Sequence, residues 1–139
     1  MSRPSKPKES RLWTSFRQAI STSPKKWTTT RIETWATPGV PDVLLCDEAG
    51  GFHFVELKTT SGQAVDLSPH QVAWHTRHAH ASVWVLIEQA AASDRPRALH
   101  LYHGRDAVAL RTDGLRHPAA GSWSWPVAWG EILALISRI

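Results

Sequence analysis

An aspartate, a glutamate and a lysine stand in two short phrases, Gly39-Val40-Pro41-Asp42-Val43 and Phe54-Val55-Glu56-Leu57-Lys58. Two carboxylates suit a hard divalent cation, and an ammonium beside them suits an attacking water; together these are the needs of metal-dependent phosphodiester hydrolysis. Side chains two apart on a strand share a face, so Glu56 and Lys58 emerge together while Val55 and Leu57 point the other way.

The segments around these residues are what must position them. Val43-Leu44-Leu45-Cys46 is an apolar run suited to a strand, Asp47-Glu48-Ala49-Gly50-Gly51 is a turn, and Phe52 to Lys58 makes the returning strand. Residues 41–58 therefore read as a hairpin. With its turn centred near Ala49 and Gly50, Asp42 falls opposite Phe54 to Lys58, within cross-strand reach of Glu56 and Lys58.

Each element is weak alone, because an acid-x-Lys triplet is expected roughly once by chance in a chain of this size. Asp42 could equally be a turn residue after proline, and Glu56 with Lys58 a surface ion pair on an edge strand. The combination is stronger. The single Pro-Asp lies 14 residues before the single acid-x-Lys; apolar residues flank Asp42 and Glu56, and one precedes Lys58. Charges in such strands are costly unless paired or metal-bound.

Before the hairpin, Leu12, Phe16, Ala19 and Ile20 recur at helical spacing from Ser10, and Pro24 follows the end of that helix. Trp27 to Trp35 reads as a strand, with Arg31, Glu33 and Trp35 on one face. After the hairpin, Ser68-Pro69-His70-Gln71 is a helix start with an N-cap serine, proline at the first position and glutamine at the third; the helix runs to about His78. Ser82–Glu88 reads as a buried strand, Ala98–Tyr102 as a short one and Arg105–Leu110 as a short helix. Trp129, Ile132, Leu133 and Ile136 give a last helix, started by Pro126, its apolar stripe. The order is a helix, a three-strand meander, a crossover helix and a strand parallel to the third.

Gly39-Val40-Pro41-Asp42 followed by Val55-Glu56-Leu57-Lys58 resembles the PD-(D/E)xK nuclease superfamily, in particular the small VRR-Nuc and Holliday-junction-resolvase-like members often encoded by phages. The resemblance covers about residues 9–103. It implies an α/β fold with a restriction-endonuclease-like αβββαβ core, a mixed sheet flanked by helices, and a C-terminal helical extension. The expected division is a basic flexible arm at 1–8, a nuclease core at 9–110 and a packed loop and helix at 111–139.

By the same resemblance, Asp42, Glu56 and the backbone carbonyl of Leu57 would ligate Mg²⁺ or Mn²⁺. Lys58 would orient or deprotonate the attacking water and steady charge growing on the phosphate. The implied reaction leaves 5′-phosphate and 3′-hydroxyl ends. Glu9 resembles the first-helix glutamate that completes the acidic cluster in many members, and is equally a helix N-terminal acid favoured by the dipole. Glu33, with Arg31, either approaches the site or forms a local pair. Gln71 resembles a polar residue that relatives bring to the site, and its competitor is closure of the capping box with Ser68; one amide is expected to serve only one of these.

His70, His75, His78 and His80 cluster on or past one helix, and without a third ligand at matching spacing they read as surface imidazoles. Trp123, Trp125 and Trp129 could stack on bases but more readily pack the terminal helix.

At 139 residues the chain suffices for one domain with its own core. Cys46 is the single cysteine, so no internal disulfide or cysteine-zinc cluster forms. No apolar run spans a bilayer, and none follows the basic start as a secretory signal would. A cytoplasmic setting is expected, in a host if the chain is phage-encoded. Residues 1–26 carry seven basic side chains against Glu9 alone, leaving nine basic against eleven acidic elsewhere. Lys6, Lys8, Arg11, Arg17, Lys25, Lys26 and Arg31 are accordingly the expected contacts to DNA backbone. Structure-selective rather than sequence-specific binding follows, with a homodimer as the expected assembly and a catalytically silent scaffold as the competing reading.

Overall fold

The computed structural model describes residues 7–33 and 37–138. Its elements are α1 (Pro7–Ser21), β1 (Thr28–Arg31), β2 (Val43–Cys46), β3 (Phe52–Thr60), α2 (Pro69–Arg77), β4 (Val83–Gln89), β5 (Ala98–His103), α3 (Ala107–Asp113), β6 (Gly121–Ser124) and α4 (Trp129–Ser137). The strands form one mixed α/β sheet in the order β1-β2-β3-β4-β5-β6. Only β3 and β4 run parallel, joined by the α2 crossover; every other pair is antiparallel.

Strand alternation sorts the core into two layers. Val55 and Leu57 of β3 and Trp84 and Leu86 of β4 face Leu12, Phe16 and Ile20 of α1 and Ile132, Leu133 and Ile136 of α4. Val85 and Ile87 face the opposite side, with Val65, Leu67, Ala107 and Leu110 under α2 and α3. Fully burying each large apolar side chain stabilises by about 1.5–3 kcal/mol. Phe16, at 0% exposure and beside the Trp129 ring at 6.0 Å, ties α1 to α4.

Several expectations shift by a few residues. α1 starts at Pro7, so Pro7 and Lys8 belong to the helix instead of the arm, and Glu9 lies in its first turn instead of before it. Proline suits a first helical position, and an acid there opposes the exposed amides favourably. β1 ends at Arg31, although the Ile32 amide still donates to the Asp42 carbonyl at 2.7 Å. Trp35 lies outside the described residues, as does most of the arm, including Lys6. β6 was not expected: its Gly121-Ser122-Trp123-Ser124 sequence has little strand character, and pairing to β5 imposes the extended form.

The β2–β3 turn is held by side chains. Asp47 Oδ1 accepts the amides of Ala49 and Gly51, both at 2.9 Å, and Gly50 takes a φ of +90° that favours glycine. Asp47 Oδ2 lies 2.6 Å from His53 Nε2, whose Nδ1 lies 2.6 Å from Ser82 Oγ, and the Trp84 indole donates to that hydroxyl at 3.0 Å. This chain fastens the hairpin tip to the start of β4. It also holds the Asp47 carboxyl below its usual range, mainly through the His53 bond.

Candidate active site

The hairpin register decides which charges meet. Val43 pairs with Val55 and Leu44 with Phe54, so the ladder continued by one step sets Asp42 against Glu56. Asp42 Oδ2 accepts the Leu57 amide at 2.9 Å, which fixes the carboxylate across the strand end. On β3, Phe54, Glu56 and Lys58 alternate with the buried Val55 and Leu57, so they share the face covered by α2.

Glu56 is only 1% exposed, an expensive place for a carboxylate without polar support. Gln71 supplies some of it, donating from Nε2 to Glu56 Oε2 at 3.2 Å. The same amide closes the capping box, its Oε1 accepting the Ser68 amide at 2.9 Å while Ser68 Oγ accepts the Gln71 amide at 3.1 Å. The expectation that one amide serves only one role is therefore corrected: an amide has two ends, and here each takes one partner.

Gly39 seats the approach to Asp42. Its φ is +90°, and a Cβ there would overlap the His70 carbonyl and crowd the Gln71 amide nitrogen. Only glycine lets this loop lie on the first turn of α2, and that contact draws Asp42 toward the helix carrying Gln71.

Lys58 is half-buried, and among the described residues no carboxylate lies within ion-pair distance of its ammonium. Glu56 and Lys58 are thus not the surface ion pair that an edge strand would hold, and β3 is an interior strand.

His75 is a residue that sequence reasoning misplaced. Far from being a surface imidazole, it is 0% exposed, one turn beyond Gln71 on the same face of α2. Among the described residues neither ring nitrogen has a hydrogen-bond partner. Its pKa is lowered to about 4, mainly by burial and then by the positive charges of His78 and Lys58, with Asp42 opposing them. His75 therefore belongs to the electrostatic neighbourhood of the site. The i, i+4 spacing of Gln71 and His75 was the available signal, since both fall on one stripe. His78 is half-buried and stacked on Trp74 at 3.9 Å; His70 and His80 are exposed as expected.

The remaining expected residues do not join. Among the described residues no three His, Cys, Asp or Glu side chains gather as a metal-binding group, so neither Glu9 nor Glu33 completes an acidic cluster with Asp42 and Glu56. α1 packs on the other face of the sheet, which accounts for Glu9. Glu33 is exposed beyond the end of β1. Arg31, opposite Val43, sits on the α1 side with its guanidinium 5.4 Å from the Trp13 ring centre. Arg11, Arg17, Lys25 and Lys26 are exposed; the side chain of Lys8 lies outside the described set.

The donor set fits a hard divalent cation in kind: two carboxylates in facing register, one of them buried and steadied by an amide, with the Leu57 carbonyl between Glu56 and Lys58 on the strand. Two carboxylates and a carbonyl leave the other positions to water, as Mg²⁺ prefers.

The chain matches no protein-family model, no curated protein and no solved structure.

Proposed function

We propose that this chain is a divalent-metal-dependent DNA endonuclease of the PD-(D/E)xK type, acting on branched or junction DNA without reading sequence. The observation that carries the reading is the Asp42 carboxylate, held on the Leu57 amide and registered against the buried Glu56, with Lys58 on the same face and, among the described residues, in no ion pair. Asp42, Glu56 and the Leu57 carbonyl would hold Mg²⁺ or Mn²⁺, which supplies a Lewis acid that acidifies water and polarises a phosphoryl oxygen.

The protein's own groups do the rest. Lys58 orients the attacking water and stabilises charge developing on the phosphate. Gln71 fixes the Glu56 carboxylate from α2, so the capping box and the site stand or fall together. The exposed Arg11, Arg17, Lys25 and Lys26 grip the backbone, and Trp13 between Arg17 at 6.0 Å and Arg31 at 5.4 Å adds an aromatic face to that surface.

One observation favours a second reading, a nucleic-acid-binding scaffold on the same fold: among the described residues no third acid joins the two carboxylates, one of which is nearly closed to solvent. Incubating the protein with branched, nicked, single-stranded and linear DNA, with Mg²⁺, Mn²⁺ or EDTA, separates the two. The nuclease reading expects metal-dependent cutting of branched DNA, abolished in Lys58→Ala and Glu56→Gln. Cutting that survives in both variants discards the assigned site. Binding without cutting on every substrate establishes the scaffold.

A further inference from the structure

A second place on the molecule collects polar groups that the proposed cleavage does not use. At the start of β4 and the end of β5 lies a hollow of about 260 Å³, bordered by His80, His103, Arg105, Trp84 and the small Ala79 and Ala81. Its three polar side chains are all nitrogen donors, and no carboxylate is among its lining residues. Among the described residues none of the three makes a hydrogen bond or an ion pair. The nearest acid, Asp106, has its carboxylate 3.7 Å from His117 Nε2.

The hollow is shaped by its surroundings. The His103 ring lies on Trp84 at 4.3 Å, tilted 34°, which fixes the imidazole as one wall. Gly104, between His103 and Arg105, has no room for a side chain, because a Cβ would press on His75 Nδ1 and Val83. That close seat holds the turn from β5 to α3 down against the sheet, so Arg105 stands beside His103. His103 is kept below its ordinary pKa by burial and by Arg105, with Asp106 opposing. At neutral pH it offers a neutral N–H, and Arg105 supplies the permanent charge.

We propose that this hollow binds a phosphate group, with Arg105, His103 and His80 as its donors. A planar guanidinium with two imidazoles offers several N–H groups to a tetrahedral oxyanion, and Arg is suited to bidentate phosphate contact. The pocket has volume for a phosphate and part of what it is attached to, and its small apolar rim at Ala79 and Ala81 leaves the entry open. Trp84 and His103 pair across β4 and β5 on the face that α1 and α4 cover, whereas Glu56 and Val85 point to the other face, so the hollow is separate from the proposed catalytic carboxylate. The phosphate it would take is the free ion or the end of a nucleic-acid strand. The binding claim does not rest on the nuclease reading.

The test is heteronuclear NMR of the full chain in EDTA, titrated at constant ionic strength with inorganic phosphate, a 5′-phosphorylated oligonucleotide and its 5′-hydroxyl counterpart. Saturable shifts at the His103 and His80 imidazoles, the Arg105 side chain and the Trp84 indole are expected. Arg105→Ala should weaken binding about tenfold or more, the loss of one charge-assisted contact, with an unchanged circular dichroism spectrum. His103→Gln provides a second variant that keeps a donor. Shifts with phosphate and with the phosphorylated strand alone assign the site to a strand end; shifts with phosphate only assign it to the free ion. Shifts that do not saturate, or equal affinity in wild type and Arg105→Ala, overturn the proposal. Metal is absent throughout, so a failed cleavage assay and a failed phosphate titration are independent results.

Discussion

His75 makes a quantitative statement about acid stability. Its pKa is about 4 in the folded chain against 6.5 when exposed, because a fully enclosed ring facing Lys58 and His78 resists a second proton. Folded and unfolded chains bind no proton there well above pH 6.5, so the group is neutral toward folding in that range. As pH falls through 6.5 the unfolded chain takes up a proton and the folded chain does not, so stability drops until about pH 4, below which the loss levels off. At about 1.4 kcal/mol per pKa unit, the full difference is about 3 kcal/mol, and the portion between pH 7 and pH 5 is about 2 kcal/mol. His100 and His103, also held low mainly by burial, add to the same limb. The contribution of His75 must therefore be isolated by comparison. Urea unfolding of wild type, His75→Leu and His75→Gln at pH 7, 6 and 5 provides it. Both variants should lose about 2 kcal/mol less than wild type over that interval. His75→Leu should also be close to wild type at pH 7, since it removes two buried polar atoms that have no hydrogen-bond partner among the described residues. Three parallel pH profiles would show that His75 is solvated or paired, and the reasoning about its surroundings would be wrong.

Gln71→Ala removes both a cap closure and the amide on Glu56, and should cost about 1–3 kcal/mol while lowering any cleavage rate; a rate that is untouched would separate the cap from the site. Gly39→Ala forces a Cβ against the His70 carbonyl at positive φ, and should destabilise by about 2 kcal/mol or more in thermal unfolding. Asp47→Asn should flatten the acid limb below pH 3.8, because the lowered carboxyl pKa stabilises above that value and the contribution fades as the group protonates; an unchanged limb discards the Asp47–His53 bond as its cause. Phe16→Ala should cost about 3–5 kcal/mol, measured by denaturant midpoint, through the cavity left between α1 and α4.

Much of the architecture was legible in the residues because periodicity reports burial directly. The apolar run Val43 to Cys46, the glycine turn and the alternation from Phe52 yielded the hairpin, helical spacing found α1 and α4, and the Ser68-Pro69-His70-Gln71 start found α2. Counting across the turn put Asp42 opposite Phe54 to Lys58, and the strand register narrowed that range to Glu56. β6 escaped because Gly and Ser give little strand signal, and its conformation comes from the β5 edge it completes. Glu9 and Glu33 were reasonable by position along the chain, yet they do not gather with Asp42 and Glu56. The side of the sheet on which an element packs is not written in the periodicity of that element.

The amino-acid order alone determined which residues alternate, where the chain turns, and that Asp42, Glu56 and Lys58 share one surface. Tertiary packing alone decided that Gln71 holds both Ser68 and Glu56, that Gly39 presses on α2, and that His75 is sealed from water beside Lys58. Local pattern fixes direction within an element through backbone geometry, whereas desolvation depends on which other element closes over a side chain, and that partner is chosen only when the whole core assembles.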